Sequence, residues 1–377
     1  MTESITRFGF AEPIVVNGSV RRKNVVLGGH LRLRVAKELK YKEVPVVYVD
    51  ISDLKKEKEL NLRLNKNNGE WDFDLLNKFD KLMLEEIGFE SIELEEIFPE
   101  KEIEEDDVPE ASKVAKTKTG DLYILGNHRL LCGDSTNKED VEKLMDNQKA
   151  DMVFTDPPYS VNYAKKAKEV LKSKNYVEIK NDDKTVEETA ETIWKPYFEL
   201  CSSIAKDEAS IYSTMPQGGD QMIMMMMMSV GWQVKHELIW VKEAPVFSMG
   251  RLDYDYKHEP IAYGWKKKHN FYGKGEFTKS VWEIPRIENK LHPTMKPIRL
   301  IANAINNSTM KENNVYDGFG GSGSTLMACE QTNRKCFMME LDPIYCDVIV
   351  GRWENLTGKK AKIYEKESRV EGRKKAV

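Results

Sequence analysis

The sequence lacks the features that mark membrane, secreted and metal-binding proteins. No run of about 18 apolar residues occurs in the 377 residues, and the N-terminus has no apolar signal-peptide core. The five cysteines are scattered, without a CxxC pair or a metal-ligand spacing, which favours buried, reduced thiols. We therefore expect a cytoplasmic protein with no metal site and no membrane partner.

Excess positive charge is also absent. Lys and Arg number 58 against 62 Asp and Glu, so the formal net charge is −4. Contact with phosphates requires only one basic face, so this balance does not exclude a nucleic-acid partner. Acidic residues concentrate in 101–110, and basic residues in 165–184, 266–268 and the end of the chain.

The chain divides into five parts by composition and periodicity. Residues 1–52 alternate short apolar runs with Gly-rich turns and one helical stretch, which predicts a small α/β unit. Residues 53–100 place apolar side chains on one helical face, and the acidic residues 101–118 read as a solvated linker. Residues 119–360 form a second α/β region, followed by a basic tail at 361–377.

In the second α/β region, short apolar strands alternate with amphipathic helices. Strands are predicted at 151–155, 209–213, 236–241, 314–316 and 336–339. Helices are predicted at 138–145, 186–203, 221–228, 298–306, 324–331 and 343–353. This alternation predicts a doubly wound, mainly parallel sheet that binds ligands at the carboxyl ends of its strands.

The first chemical motif, Asp156-Pro157-Pro158-Tyr159, follows the strand at 151–155. Two prolines make a stiff turn without backbone donors, so the carboxylate of Asp156 and the carbonyl of Pro157 can accept both hydrogens of an exocyclic amine. Tyr159 offers a face on which an extruded base can stack. A rigid structural turn with a surface tyrosine is the alternative.

The second motif is the Gly-rich sequence DGFGGSGST at residues 317–325, between a strand and a helix. Its spacing satisfies the dinucleotide fingerprint GxGxxG and nearly satisfies a P-loop, in which Ser324 takes the place of the lysine. One strand later, Glu340 stands where an acid binds ribose hydroxyls. The loop alone leaves nicotinamide, flavin and S-adenosylmethionine (SAM) cofactors open, as well as a structural glycine turn.

The two motifs together are more specific than either one. A Gly-rich loop and a ribose-binding acid suit several nucleoside cofactors. A base-stacking turn that accepts an amine suits an enzyme that modifies an amino group on a planar substrate. The pair therefore indicates transfer chemistry at an exocyclic amine.

With these motifs the sequence resembles the amino-methyltransferases of DNA in their β arrangement, in which the catalytic motif precedes the SAM loop. It looks like the phage or orphan enzymes that carry a ParB-like domain in front. The resembling blocks cover residues 120–134, 154–163, 257–265, 292–297, 316–330 and 340–360. The resemblance implies a Rossmann-like SAM-dependent methyltransferase fold in residues 119–360.

The resemblance also implies the roles of individual residues. Asp156, Pro157, Pro158 and Tyr159 would be the catalytic motif. Asp134 would lie near the SAM adenine, Glu340 at its ribose, and Lys296 at its carboxylate. The full set of cofactor-binding positions is Asp134, Thr294, Lys296, Asp317, Phe319, Gly320, Gly321, Gly323, Ser324 and Glu340.

The reaction implied is direct, in-line transfer from the positively charged sulfur of SAM to the amine of a flipped base. None of the prolines is followed by cysteine, so the Pro-Cys nucleophile of cytosine C5 methyltransferases is absent. In the resembling family Asp at the first motif position usually accompanies adenine and Ser accompanies N4 of cytosine. Asp156 therefore favours N6 of adenine, and N4 of cytosine remains the alternative.

Double-stranded DNA is the expected partner. Residues 244–289 mix basic and aromatic side chains and are predicted to read the target sequence, with Arg251, Lys266, Lys267 and Lys268 as DNA contacts. Lys165 and Lys166 belong to a second expected contact, in a loop after the catalytic motif, although a solvated charge run would look the same. A homodimer is also compatible with the sequence.

Residues 25–49 resemble the ParB-like fold, in a version expected to be N-terminally shortened. Gly28-Gly29-His30-Leu31-Arg32 replaces that family's Gly-Glu-Arg-Arg pattern, so we do not expect nucleotide hydrolysis. The domain would contribute DNA contact or dimerisation, or serve a purely structural role. Two further alternatives are a non-catalytic ParB-like DNA-binding protein and methylation of RNA or of a protein amide.

Overall fold

The structure is a computed structural model. It describes residues 2–65, 103–112, 114–159, 184–216, 220–245, 253–273, 278–286 and 295–364, with scattered positions between 76 and 97. The chain divides into two compact units, Met1–Glu100 and Lys101–Val377. Across the described residues, no helix combines the length and the apolar character needed to cross a membrane.

The first unit contains a three-stranded sheet and helices, as the sequence predicts. The strands are β1 (Ile14–Asn17), β2 (Val25–Gly28) and β3 (Val46–Val49), in the order β2-β1-β3. Helices whose bounds are described in this unit include α1 (Thr2–Phe8), α2 (His30–Glu38) and α3 (Leu54–Asn65). Strand β1 pairs antiparallel with β2 and parallel with β3. Apolar residues between 76 and 97 form a separate buried cluster with Leu62 of α3.

The second unit is built on a ten-stranded sheet in the order β10-β8-β9-β7-β6-β11-β12-β5-β4-β13. The strands are β4 (Leu122–Leu125), β5 (His128–Cys132), β6 (Ala150–Thr155), β7 (Ala205–Thr214), β8 (Gln233–Val241), β9 (His258–Trp265), β10 (Val281–Glu283), β11 (Asn314–Asp317), β12 (Lys335–Glu340) and β13 (Lys362–Ile363). Its centre, β7-β6-β11-β12-β5, is parallel throughout. The expected doubly wound α/β fold is confirmed.

Helices cover both faces of this sheet. They are α4 (Lys138–Met145), α5 (Val186–Thr189), α6 (Lys195–Ile204), α7 (Asp220–Ser229), α8 (Ile298–Ser308), α9 (Ser324–Gln331) and α10 (Pro343–Thr357). Met152 and Phe154 of β6 pack in one core cluster, and Val153 packs in the other. A strand buried on both faces is typical of a parallel sheet, which explains the continuous apolar run in β6.

Local sequence signals account for several helix boundaries. The side chain of Asn137 accepts a hydrogen bond from the backbone of Asp140 and so caps the start of α4. Asp342 caps α10 in the same way, and Pro343 occupies its first turn. Helix α10 ends at Gly358, whose φ of 69° is strained for other residues.

Two sequence predictions require correction, and a third is refined. The helix predicted at 186–203 is interrupted by a π-helical turn, Ala190–Trp194, which joins α5 to α6. The predicted target-recognition segment 244–289 contains β9, a strand of the sheet that is hydrogen-bonded between β7 and β8, and its role in target recognition stays a prediction. The acidic residues 103–112 are not a solvated linker, because Glu105 and Asp106 bind groups of α8 and α10.

Candidate active site at the carboxyl edge of the sheet

The carboxyl ends of the five parallel strands bring polar side chains to one edge of the sheet. Parallel strands end at the same edge, so residues distant in sequence become neighbours there. From β7 to β5 the strand order places these groups in sequence along the edge: Thr214, Asp156, Asp317, Glu340 and Asp134. The sequence motifs that predicted catalysis and cofactor binding are thus on adjacent strands, β6 and β11.

Asp156 is the most heavily contacted of these groups. Its Oδ1 accepts hydrogen bonds from the hydroxyl of Tyr159, at 2.9 Å, and from the hydroxyl of Thr214. Its Oδ2 accepts a hydrogen bond from Nζ of Lys296 at 2.8 Å. Burial, followed by the negative charge of Asp156, raises the pKa of Tyr159 well above its ordinary value, so the phenol remains a hydrogen-bond donor.

Lys296 lies in a chain of alternating positive and negative side chains, which runs from Asp156 through Lys296 and Glu259 to Lys242. Its ammonium lies 3.4 Å from Oε2 of Glu259, and Oε1 of Glu259 is bound by Nζ of Lys242. Both lysines are buried, at 8% and 5% exposure, so each positive charge depends on its carboxylate partners. Burial acts to lower the pKa of Lys296, but the charges of Asp156 and Glu259 outweigh it and the pKa is raised.

Two aromatic side chains hold the turn at 156–159 and the strand before it. Trp194, at the end of the π-helical turn, donates from Nε1 to the carbonyl of Pro158 at 3.0 Å. The hydroxyl of Tyr197 donates to Oγ1 of Thr155 at 2.8 Å and accepts from the backbone N–H of Gly318 at 3.3 Å. Tyr197 therefore joins the strand before Asp156 to the Gly-rich loop.

The Gly-rich loop needs glycine for two reasons. A Cβ at Gly320 would lie 2.8 Å from Sδ of Met338, and a Cβ at Gly318 would lie 2.3 Å from the ring of Tyr197. Gly321 and Gly323 adopt φ values of 50° and 90°, in the left-handed region that glycine tolerates best. Close backbone approach and positive φ together hold the loop against β12.

The other two predicted cofactor residues of this motif, Phe319 and Ser324, make different contacts. The ring of Phe319 packs against that of Tyr197, with 4.6 Å between centroids. Ser324 is buried, and its hydroxyl lies 3.3 Å from a guanidinium nitrogen of Arg352. Its predicted role at the cofactor stays a prediction, whereas its contact with Arg352 was not foreseen.

Two carboxylates line the loop. Oδ1 of Asp317 accepts from the backbone N–H of Phe319 at 3.0 Å. Oε2 of Glu340 accepts from Gly321 at 2.7 Å, and Oε1 accepts from Asp342 at 2.8 Å. Burial raises the pKa of Asp317 and of Glu340 to about 7, although these hydrogen bonds act in the opposite direction.

Asp134 follows β5, beside Glu340. The backbone N–H of Gly133 donates to the carbonyl of Glu340 at 3.0 Å, which ties the ends of β5 and β12 together. Oδ1 of Asp134 accepts from the backbone N–H and the hydroxyl of Thr136, at 2.8 and 2.7 Å. The structure therefore places Asp134 next to Glu340, and its role at the SAM adenine stays a prediction.

Other predicted residues are not brought to this edge. Lys266, Lys267 and Lys268 follow the far end of β9, where their backbone N–H groups bond to the beginning of β7. From Asp207 to Thr214 that strand spans roughly 20 Å, at about 3.3 Å per residue. Lys267 also forms an ion pair of 2.8 Å with Asp207. These positions do not support DNA contact beside Asp156. Thr294, Lys165, Lys166 and Arg251 lie outside the described residues.

Sequence reasoning did not single out several residues that shape the site: Thr214, Lys242, Trp194, Tyr197 and Arg352. Glu259 lies in the resembling block 257–265, where a functional and a structural role both stayed open. Thr214 ends one apolar strand, and Lys242 directly follows another. Residues that bind ligands in a doubly wound sheet occupy such positions. That signal was available in the sequence. Nothing in the sequence indicated which way the aromatic rings of α6 would point.

Comparison with known proteins gives two family matches. Residues 150–351 match the family described as DNA methylase, and residues 1–67 match the ParB N-terminal domain. The former match covers more than half of the chain.

Individual relatives are more distant. The type II methyltransferase M.Cfr9I of Citrobacter freundii is 29% identical over 134 residues, which are 32% of this chain and 45% of that protein. M.HinfI of Haemophilus influenzae is 25% identical over 248 residues, which are 59% of this chain and 67% of that protein. The chain thus spans less than half the length of the first of these relatives. The crystal structure of the M1.HpyAVI–SAM complex is 22% identical, with a TM-score of 0.44, over 59% of this chain and 98% of that one.

Proposed function

The chain belongs to the DNA methylase family, and from that membership and the site geometry we propose that it transfers a methyl group from SAM to N6 of adenine in DNA. The observation that carries the proposal is the position of Asp156. It ends the strand next to the Gly-rich loop, and its carboxylate is surrounded by Tyr159, Thr214 and Lys296. The position of Asp156 therefore supports an acceptor site beside a cofactor site at the Gly-rich loop.

The residues at the ends of β11, β12 and β5 fit SAM. The glycines at 318 and 320 leave no room for side chains on the inner side of the loop, whereas a Cβ at Gly321 would meet nothing within 4 Å. Open space beside Gly321, together with Asp317, Glu340 and Asp134, suits a nucleoside that carries a positive charge. When bound there, SAM supplies a methyl group on a sulfonium ion.

On the acceptor side, Asp156 has the main role. Its carboxylate would accept a hydrogen bond from the exocyclic amine and hold the nitrogen lone pair towards the methyl group. SAM held beside it would supply the methyl group as a cation, and the amine nitrogen that accepts this group would release one proton to solvent. Asp156 stabilises the positive charge that develops on nitrogen, and Pro157 and Pro158 keep the carboxylate in place.

The choice of adenine rests on Asp156 as the first residue of the catalytic motif. Cytosine N4 presents the same kind of amine, and it remains the second candidate because the resembling family contains both activities. Tyr159 supports either base, since an aromatic ring stacks on any flipped base.

The experiment that tests the proposal identifies the product. Purified protein is incubated with labelled SAM and unmethylated double-stranded DNA, the DNA is digested, and the methylated nucleoside is identified. We expect N6-methyladenine from the wild type and none from Asp156→Ala, with SAM binding retained in the variant as a check of folding.

Two other outcomes would change the conclusion. N4-methylcytosine would preserve the mechanism and replace the base. A protein that binds SAM but leaves DNA unmethylated would contradict the proposal and direct the search to RNA or protein substrates.

A further inference from the structure

The acidic segment 103–112 lies within the second unit, and residues 104–106 and 108 bind or pack against other parts of that unit. The backbone of Glu104 exchanges hydrogen bonds with the side-chain amide of Gln331, at 2.9 and 2.8 Å. Val108 is buried with Met295 and Val348. We refer to residues 103–112 as the acidic strap.

One ion pair connects the strap, through Arg352, to the Gly-rich loop. Asp106 binds Arg352 through Nε, at 3.0 and 2.8 Å, and through Nη2. The guanidinium is fully buried, and its Nη1 donates to the carbonyl of Ser322 at 3.0 Å. A buried guanidinium cannot lose its proton, so removal of the Asp106 charge would leave an uncompensated cation beside the loop.

The adjacent acid, Glu105, binds the backbone close to Lys296. Oε2 of Glu105 accepts from the backbone N–H of Ile298 at 2.9 Å, and Oε1 accepts from Arg299 at 3.0 Å. Helix α8 begins at Ile298, after Pro297, whose side chain cannot act as a cap. Glu105 replaces that cap and offsets the helix dipole. It therefore fixes the backbone two residues after Lys296.

We propose that Glu105 and Asp106 are positioning residues for the methyl-transfer reaction. Asp106 acts through Arg352 on the Gly-rich loop, and Glu105 acts through the start of α8 on Lys296 and, through it, on Asp156. The inference rests on the proposed function. Two neighbouring acids of the strap thus support the two halves of the site separately: Asp106 the cofactor side and Glu105 the acceptor side.

The test compares three neutralising substitutions in consecutive residues. Asp107 is exposed, so Asp107→Asn is the matched control for Glu105→Gln and Asp106→Asn. We expect Asp106→Asn to weaken SAM binding by about tenfold while kcat at saturating SAM changes by less than about twofold. For Glu105→Gln we expect the reverse, a loss of about tenfold in kcat with SAM affinity within about twofold of the wild type. Isothermal calorimetry and steady-state kinetics measure the two quantities.

Hydrogen exchange in the SAM-free protein provides a readout that does not depend on activity. Backbone amides of residues 318–323 should exchange faster in Asp106→Asn than in Asp107→Asn. If Asp106→Asn does not fold, Asp106→Glu, which keeps the charge on a longer side chain, tests the same contact. Equal losses of SAM affinity and kcat in both variants, or losses no larger than those of Asp107→Asn, would overturn the inference. A wild type that binds no SAM would instead contradict the proposed function, and the exchange measurement would still test the strap.

Discussion

Nζ of Lys296 lies 2.8 Å from Oδ2 of Asp156, the carboxylate assigned to the acceptor amine. An entering amino group must therefore share this carboxylate with a buried ammonium or displace it. Glu259, 3.4 Å from the same ammonium, gives Lys296 a second partner. The ion pair with Asp156 can thus open without leaving a buried positive charge alone.

Glu259→Gln should raise the KM for DNA by roughly tenfold, because one charge-assisted contact is worth about 1.5 kcal/mol and Lys296 would then hold Asp156 more tightly. SAM affinity should stay unchanged, since Glu259 lies on the acceptor side. Steady-state kinetics at varied DNA and calorimetry with SAM measure the two effects. An unchanged KM would show that Lys296 does not compete with the acceptor.

The free energy of unfolding should depend on pH through the buried acid Glu340. Burial raises its pKa to about 7, above the ordinary value of 4.5. The folded protein therefore binds more protons than the unfolded chain between these values, and stability from this group falls as the pH rises through 7. The free energy of unfolding of wild type minus that of Glu340→Gln should decrease from about pH 5 to pH 8. Urea unfolding of the SAM-free proteins measures this difference, and a difference that does not vary with pH would contradict the raised pKa.

Gly320→Ala should weaken SAM binding by more than about tenfold, since a shift of the loop by a fraction of an ångström misplaces its backbone. The added Cβ would lie 2.8 Å from Met338 and 3.0 Å from the carbonyl of Met339, so the loop must move. The control is Gly358→Ala, which has a φ of 69° and no atom within 4 Å of the added Cβ. That variant should cost about 1 kcal/mol of stability and leave SAM binding unchanged. Equal SAM affinity in the two variants would argue against a tightly packed loop.

Tyr197→Phe should lower the free energy of unfolding by about 1–2 kcal/mol, because the backbone N–H of Gly318 and the hydroxyl of Thr155 lose a buried partner. Tyr197→Phe should lower the free energy of unfolding by less in a Thr155→Val background, since the hydroxyls of Tyr197 and Thr155 share one hydrogen bond. A double-mutant cycle by chemical denaturation measures this coupling. Strictly additive losses would mean that the two hydroxyls act independently.

The sequence predicted those parts of the fold that depend on local signals. The boundaries of α4 and α9 agree with their predicted ranges, because Asn137 and Gly323 mark their starts. Strand β9 escaped prediction because it contains Pro260 and lies in a stretch of basic and aromatic residues that favoured a recognition loop.

The parts of the site that the sequence could not predict depend on contacts between residues far apart in the chain. The strap looked solvated because its acids dominate its composition, whereas the partner of Asp106 is Arg352, 246 residues away. The expected role of Lys296 at the SAM carboxylate stays a prediction, whereas its contact with Asp156, 140 residues away, was not foreseen. No periodicity within either segment carries such information, so only the folded sheet edge reveals these pairs.

The π-helical turn at Ala190–Trp194 has a consequence for insertions and deletions in this region. A π turn corresponds to an α-helix with one residue added, and each residue of an α-helix rotates the following side chains by about 100°. The wider turn absorbs the added residue, so deleting one residue from it would leave a continuous α-helix with Tyr197 still directed towards Thr155 and Gly318. Deleting one residue between the turn and Tyr197 would instead rotate the ring away from both partners. The π turn is therefore the place in this stretch where the loss of one residue would disturb the site least, whereas the same loss in the helix after it would disturb the site more than many changes of residue type.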